Sequence, residues 1–283
     1  MVAVTQFRIA RAAALGLLLW GSTAEAYVPD LHSQSAAAVL RREFSDPGLS
    51  FLLLNEKGEV IAQRWPSPER DTPVGSLIKP FLAVAYGRTH DSFPVFYCHG
   101  KKTCWLPRGH GELGVTQAIA VSCNSYFHQL LAEAEPGFAA ETLQGFGLTS
   151  QDSTGRDKVE LFEKGLGWQA APLALVHAYL GLLNGSGDKP VAAVLDGMAL
   201  SASSGTASAV DSELRRIRAL AKTGTAPCIH RKKAPGDGLA LLMVPADHPR
   251  LLVLVRLHGK PGSAAAAVAA RMIGAVEKSG SHP

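Results

Sequence analysis

Three short strings, Ser76-Leu77-Ile78-Lys79, Ser122-Cys123-Asn124 and Lys222-Thr223-Gly224-Thr225, occur in that order in the 283-residue chain and carry the residue types of an acyl-serine site. A serine hydroxyl is a poor nucleophile at neutral pH and needs a base beside it. Residues three apart on a helix share a face, so a helix beginning near Ser76 sets the Lys79 amine over the Ser76 oxygen. Gly75 permits a sharp entry to that helix. Pro80 loses nothing within a first turn, where its missing N–H would have no intrahelical partner. For Lys79 to accept a proton its pKa must fall well below about 10.4, through burial and a neighbouring cation, and Lys222 is the natural neighbour.

The other two strings supply the remaining parts. Ser122 and Asn124, two residues apart, lie on one side only in a non-helical loop, where the hydroxyl can pass a proton and the amide can hold a substrate carbonyl. On an edge strand, Gly224 lets a substrate backbone approach and pair as an added strand. Lys222 offers charge to a carboxylate, and the Thr223 and Thr225 hydroxyls can bind it. The N–H groups of Ser76 and Thr225 could form an oxyanion hole. Each string alone has a plainer reading: a capping serine with a surface lysine, a turn asparagine, an edge strand with a glycine bulge. From average usage a Ser-x-x-Lys is expected about once per chain and a Lys-Thr-Gly about 0.05 times, so the ordered set is the signal.

Elements to position them are legible. An alanine-rich helix is expected near Gln34 to Glu43. Strands are expected over Leu49 to Leu54 and Glu59 to Trp65, joined by the turn Asn55-Glu56-Lys57-Gly58. Near the other end, Ala219 to Ala226, Leu239 to Val244 and Leu251 to Leu257 read as strands, with a turn at Pro245-Ala246-Asp247-His248-Pro249, and Ser263 to Lys278 as a helix. Between them lie expected helices over Pro80 to Arg88, Gly114 to Ala134, Phe138 to Phe146 and Pro172 to Leu183, with a short break at Ser122 and Asn124. The reading is a sheet lobe of about residues 27–75 and 210–283 with an all-helical lobe of about 76–209 inserted, in the α/β plus α class.

Residues 1–26 carry Arg8 and Arg11, an apolar run from Ala12 to Trp20 and Ala24-Glu25-Ala26, the pattern of a secretory signal peptide. Nine apolar residues fall short of the roughly 20 that span a bilayer, so no stable membrane span is expected. Cleavage before Tyr27 leaves residues 27–283 as one domain, periplasmic or secreted. The formal net charge of +4 is mild, and the cluster His230-Arg231-Lys232-Lys233 reads as a solvated hairpin loop, so no nucleic-acid partner is expected. Export makes a disulfide between Cys98 and Cys104 possible. Cys123 is expected in the helical core, and Cys228 has no obvious partner. No metal or cofactor is expected: Cys98, His99, Cys104 and His110 fit no standard zinc spacing.

With these strings the chain resembles the transpeptidase domain of penicillin-binding proteins, of the serine acyltransferase and β-lactamase-like superfamily. The similarity includes Gly109-His110-Gly111 and Ala118 to Phe127 before and through the second string. It also includes Gly165-Leu166-Gly167 with Pro172-Leu173, Ala178-Tyr179 and Asn184-Gly185, then Gly205-Thr206-Ala207 and Pro245 to Pro249. Ala171-Pro172-Leu173-Ala174 departs from the usual Thr and Gln around Pro-Leu. The resemblance implies a five-stranded antiparallel sheet flanked by helices, with the site between sheet and helical lobe. It implies Ser76 as nucleophile, Lys79 as base, Ser122 as proton relay and Asn124 as a substrate amide contact. Lys222 with Thr223 or Thr225 becomes the carboxylate site, and His110 is structural.

The implied activity is a serine-type DD-transpeptidase or DD-carboxypeptidase acting on D-Ala-D-Ala stem peptides of peptidoglycan, acylated by β-lactams, and working with a cell-wall partner protein. A serine β-lactamase is the first alternative. It needs a base for deacylating water, and Glu160-Leu161-Phe162-Glu163 lacks the Glu-x-x-Leu-Asn pattern of class A enzymes. A non-catalytic stem-peptide-binding scaffold is the second, against which the three intact strings weigh.

Overall fold

The structure, a computed structural model, describes residues 31–134, 137–148, 168–228 and 236–280. The signal segment, Glu160 to Glu163, Gly165 to Gly167 and His230 to Lys233 lie outside them. Helix α1 (Leu31–Glu43) leads into β1 (Leu49–Asn55) and β2 (Val60–Arg64). Their turn closes because Gly58 takes φ +83° and the Asn55 side-chain oxygen accepts from the N–H groups of Lys57 and Glu59. A short β3 (Thr72–Pro73) precedes a 3-10 turn, Gly75–Ile78, which runs directly into α2 (Lys79–Thr89).

A hairpin of β4 (Phe96–Cys98) and β5 (Gly111–Leu113) follows, then α3 (Val115–Ala120), α4 (Asn124–Glu133) and α5 (Ala140–Gly145). The segment expected as helical from Gly114 to Ala134 is thus two helices, broken between Ala120 and Asn124. Next come β6 (Gln169–Ala170), paired with β3, and α6 (Pro172–Asn184), α7 (Lys189–Ser203) and α8 (Ala209–Leu214). The chain closes with β7 (Leu220–Ala226), β8 (Asp237–Val244), β9 (Leu251–Leu257) and α9 (Gly262–Gly280).

Five strands form one antiparallel sheet in the order β2-β1-β9-β8-β7, the five-stranded antiparallel architecture expected. Strand β1 pairs along its whole length with β9, so the two ends of the chain meet in the sheet's middle and the helices between them project from it. Alternate residues of each strand serve opposite faces. Leu52, Leu54, Leu241, Met243, Leu252 and Leu254 pack with α2, α4 and α6, while Phe51, Leu53, Ala240, Leu242, Val253 and Val255 pack with α1 and α9. Both faces are covered, which is why these strands read as apolar runs without alternation. The small Ala265, Ala266, Ala269 and Ala270 are fully buried and let α9 lie close on the sheet. At its start, Asp237 on β8 accepts from Arg256 on β9. Burial pushes the Asp237 carboxyl up, but the Arg256 hydrogen bonds and charge outweigh this and hold it below the usual carboxylate range.

Candidate active site

The first string begins where the chain turns off the sheet. Gly75 has φ +51°, and a Cβ there would stand 2.4 Å from the backbone oxygen of Thr225, so only glycine brings the Ser76 turn this close to β7. Ser76 lies in the 3-10 turn and Lys79 opens α2 directly after it, the Lys79 N–H donating to the Ser76 carbonyl. Residues three apart across such a turn lie on one side of the chain, the arrangement that a Ser-x-x-Lys pair requires. The turn is anchored from below, where the buried Tyr179 hydroxyl on α6 donates to the Leu77 carbonyl at 2.7 Å.

Lys79 is fully buried. Its Nζ donates to the Ser122 carbonyl at 2.8 Å and to Asn124 Oδ1 at 2.7 Å, and lies 3.5 Å from Ser122 Oγ. Burial lowers its pKa to about 7, against an opposing pull from the Cys123 and Cys104 sulfurs. A neutral amine keeps two N–H donors, enough for the Ser122 carbonyl and Asn124, and also carries the lone pair of a base.

The second string is the turn between α3 and α4. Ser122 is one of the few non-glycine residues with positive φ, +50°, among the described residues. Strain of this kind costs on the order of 1–3 kcal/mol and persists where surrounding contacts over-determine it. Here the Ser122 N–H donates to the Ile119 carbonyl and the Cys123 N–H to the Ala118 carbonyl, while Trp105 Nε1–H caps the Val121 carbonyl at 3.1 Å. Asn124 opens α4, with Cys123 as its N-cap. The left-handed Ser122 is what lets hydroxyl, carbonyl and the Asn124 amide converge on one amine.

The third string is on β7, the sheet's edge. Lys222 is fully buried, and its Nζ donates to Ser122 Oγ at 2.8 Å and to the Thr223 carbonyl at 2.7 Å. Burial, and after it the charge of Lys79, lowers its pKa well below the ordinary lysine value. One serine hydroxyl therefore sits between two buried amines, and each disfavours a proton on the other.

Two residues of this string have packing roles that the sequence does not give. Gly224 is buried, and a Cβ on it would meet Leu77 and the Val74 carbonyl at 3.3 Å, so its bareness admits the Ser76 turn. Thr223 is buried with its Oγ1 2.6 Å from Thr206 Oγ1, whereas Thr225 is exposed. Thr206, which fixes Thr223 and whose own N–H donates to the Ala120 carbonyl, was not identified as a site residue from sequence. Only its place in Gly205-Thr206-Ala207 hinted at it.

Behind the second string, the possible disulfide between Cys98 and Cys104 is not formed in the structure. Both are free thiols, as are Cys123 and Cys228. The Cys104 sulfur is 3.8 Å from that of Cys123, and the Cys98 and Cys104 sulfurs both face His110 Nδ1 instead of each other. The hydrogen bond from Cys123 holds the Cys104 thiol below its ordinary value, and the same bond holds Cys123 above.

The sequence model of the penicillin binding protein transpeptidase domain matches residues 71–275, and the chain belongs to that family. Its fold is that of the transpeptidase and β-lactamase-like proteins. Pseudomonas aeruginosa PBP2, solved in complex with WCK 5153, superposes with a TM-score of 0.70 at 18% identity over 88% of this chain and 74% of that one. The transpeptidase domain of Legionella pneumophila FtsI4 D,D-transpeptidase gives 0.63 at 19% identity over 89% and 97%. Helicobacter pylori PBP2, solved in complex with MreC, gives 0.69 at 16% identity over 86% and 62%. No curated protein sequence matches the chain. No described helix is long and apolar enough to cross a membrane.

Proposed function

We propose that the chain is an exported serine acyltransferase of peptidoglycan, a DD-transpeptidase or DD-carboxypeptidase, acylated at Ser76 by D-Ala-D-Ala stem peptides and by β-lactams. The observation that carries this reading is the Ser122 hydroxyl held between two buried, pKa-lowered lysines, of which Lys79 directly follows the Ser76 turn. Ser76 Oγ attacks the penultimate D-Ala carbonyl and its proton passes to Lys79 Nζ. The oxyanion forms against the N–H groups of Ser76 and Thr225. Collapse breaks the peptide bond, and the departing D-Ala amine takes its proton back from Lys79 by way of Ser122 Oγ. Water or a second stem's amine then attacks the ester.

Lys222 and the exposed Thr225 suit the terminal carboxylate. A bound carboxylate favours charged Lys222, and a charged Lys222 keeps Lys79 neutral, so substrate binding itself prepares the base. The Helicobacter pylori relative is solved with MreC, and a cell-wall partner protein of that kind is proposed here as well.

The test is D-Ala release from a pentapeptide stem, with and without an amine acceptor, as a function of pH. Lys79 must be neutral to act, so the rate is expected to rise with pH through about 7 and then level. The exposed-lysine alternative would place the rise near about 10. A rate that is flat from about pH 6 to about pH 8.5 would remove Lys79 as the base.

A further inference from the structure

The geometry points to a structural zinc ion held by Cys98, Cys104, His110 and Cys123. Their four ligand atoms all lie within 4.8 Å of one another. With Zn–S near 2.3 Å and Zn–N near 2.0–2.1 Å, a tetrahedral centre places two sulfurs about 3.8 Å apart and a sulfur and a nitrogen about 3.6 Å apart. Cys104 Sγ and Cys123 Sγ are 3.8 Å apart, and His110 Nδ1 is 3.6 Å from Cys98 Sγ and 3.5 Å from Cys104 Sγ. The expectation of no metal rested on Cys98, His99, Cys104 and His110. The fourth ligand is instead Cys123, brought in from the second string, while His99 is exposed.

The surroundings argue for an ion rather than a chance meeting of thiols. Residues 99–110 join β4 to β5, and Cys104 is the only side chain among them that is buried. The neck of this loop is pinched shut by glycines: a Cβ on Gly100 would lie 2.2 Å from the Gly109 nitrogen, and one on Gly109 would lie 2.2 Å from the Cys98 carbonyl. A loop this polar has little apolar burial to offset its ordering, and a metal clip is one of the devices that can. Cys123 is fixed in place as the N-cap of α4, its sulfur accepting from the Tyr126 N–H at 3.4 Å.

Three thiolates and one imidazole close the coordination shell, so the ion is structural and has no open position for water. Each cysteine gives up its S–H proton to solvent on binding, and no electron moves. Because Cys123 lies between Ser122 and Asn124, the ion would also hold the strained turn in register.

The full chain is purified with zinc present, without added oxidant, and its metal content and reactive thiols are counted. About one zinc per chain is expected, with Cys228 the one thiol open to a thiol reagent and all four open after a strong chelator. Cobalt in place of zinc should give the visible spectrum of a tetrahedral thiolate site. Cys104→Ser and His110→Ala should lose the stoichiometric metal, and Cys228→Ser should keep it. The proposal is overturned by a zinc content below about a tenth of an equivalent, by an octahedral cobalt spectrum, or by a chain two hydrogens lighter with Cys104 joined to Cys123. The wild-type readings decide the matter even if a variant fails to fold, and none of them depends on the acyl-transfer reading.

Discussion

Lys79→Met is expected to slow acylation of Ser76 by benzylpenicillin about a hundredfold to ten-thousandfold, the range that a positioned general base supplies, while the chain stays folded. Methionine fills most of the lysine's volume without a charge to desolvate. The Ser122 carbonyl and Asn124 Oδ1 lose a donor, a cost of about 1–3 kcal/mol, but the buried amine's own desolvation is relieved. Lys222 meets the site at Ser122, its Nζ donating to Ser122 Oγ and the Thr223 carbonyl, and in this reading it serves the carboxylate rather than Ser76. Lys79→Arg should be equally inactive, since a guanidinium does not give up its proton near neutral pH. Acylation by both variants is followed by intact mass, and folding by circular dichroism. A folded Lys79→Met chain within tenfold of the wild-type rate would mean that another group takes the proton.

Gly75→Ala is expected to cost both stability and rate. An L-residue at φ +51° adds about 1–2 kcal/mol of backbone strain, and the new Cβ meets the Thr225 carbonyl at 2.4 Å, where backbone and not a flexible side chain must yield. Separating residue 75 from Thr225 displaces one proposed oxyanion donor from the other, and loss of one such donor costs about a hundredfold to a thousandfold. Gly259→Ala is the matched comparison: its φ is +65° but nothing lies within 4 Å of the added carbon. It should lower stability by a similar strain and leave acylation unchanged. Urea unfolding midpoints and acylation rates of the two variants separate the effects, and equal rates would count against the clash at Thr225.

The sheet was legible because its strands are apolar on both faces and its turns carry Asn, Gly, Pro and Asp in the expected places. Leu251–Leu257 matches its expected span residue for residue, and the other four strands of this sheet differ by only one or two at their ends, whereas the short β3, β4, β5 and β6, the last three inside the lobe expected to be all-helical, were not expected. Helix α7 was missed: its apolar positions are interrupted by Gly197, which is there because a Cβ would meet Ile119 at 2.7 Å, a tertiary reason invisible in one segment. The three strings give the residue types but not the left-handed Ser122, which depends on how α3 and α4 are capped. Thr206 and Thr223 are likewise partners only after folding. For the cysteines, a six-residue separation suggested a disulfide, while the decisive neighbour, Cys123, is 19 residues from Cys104 and was read as part of another string.

Ser76 is the residue expected to become acylated. Residues 27–283 are mixed with benzylpenicillin and intact mass is followed over time, with Ser76→Ala in parallel. A lasting single adduct is expected on the wild-type chain and none on the variant. An adduct that survives Ser76→Ala, or a folded wild-type chain that never forms one, would contradict it.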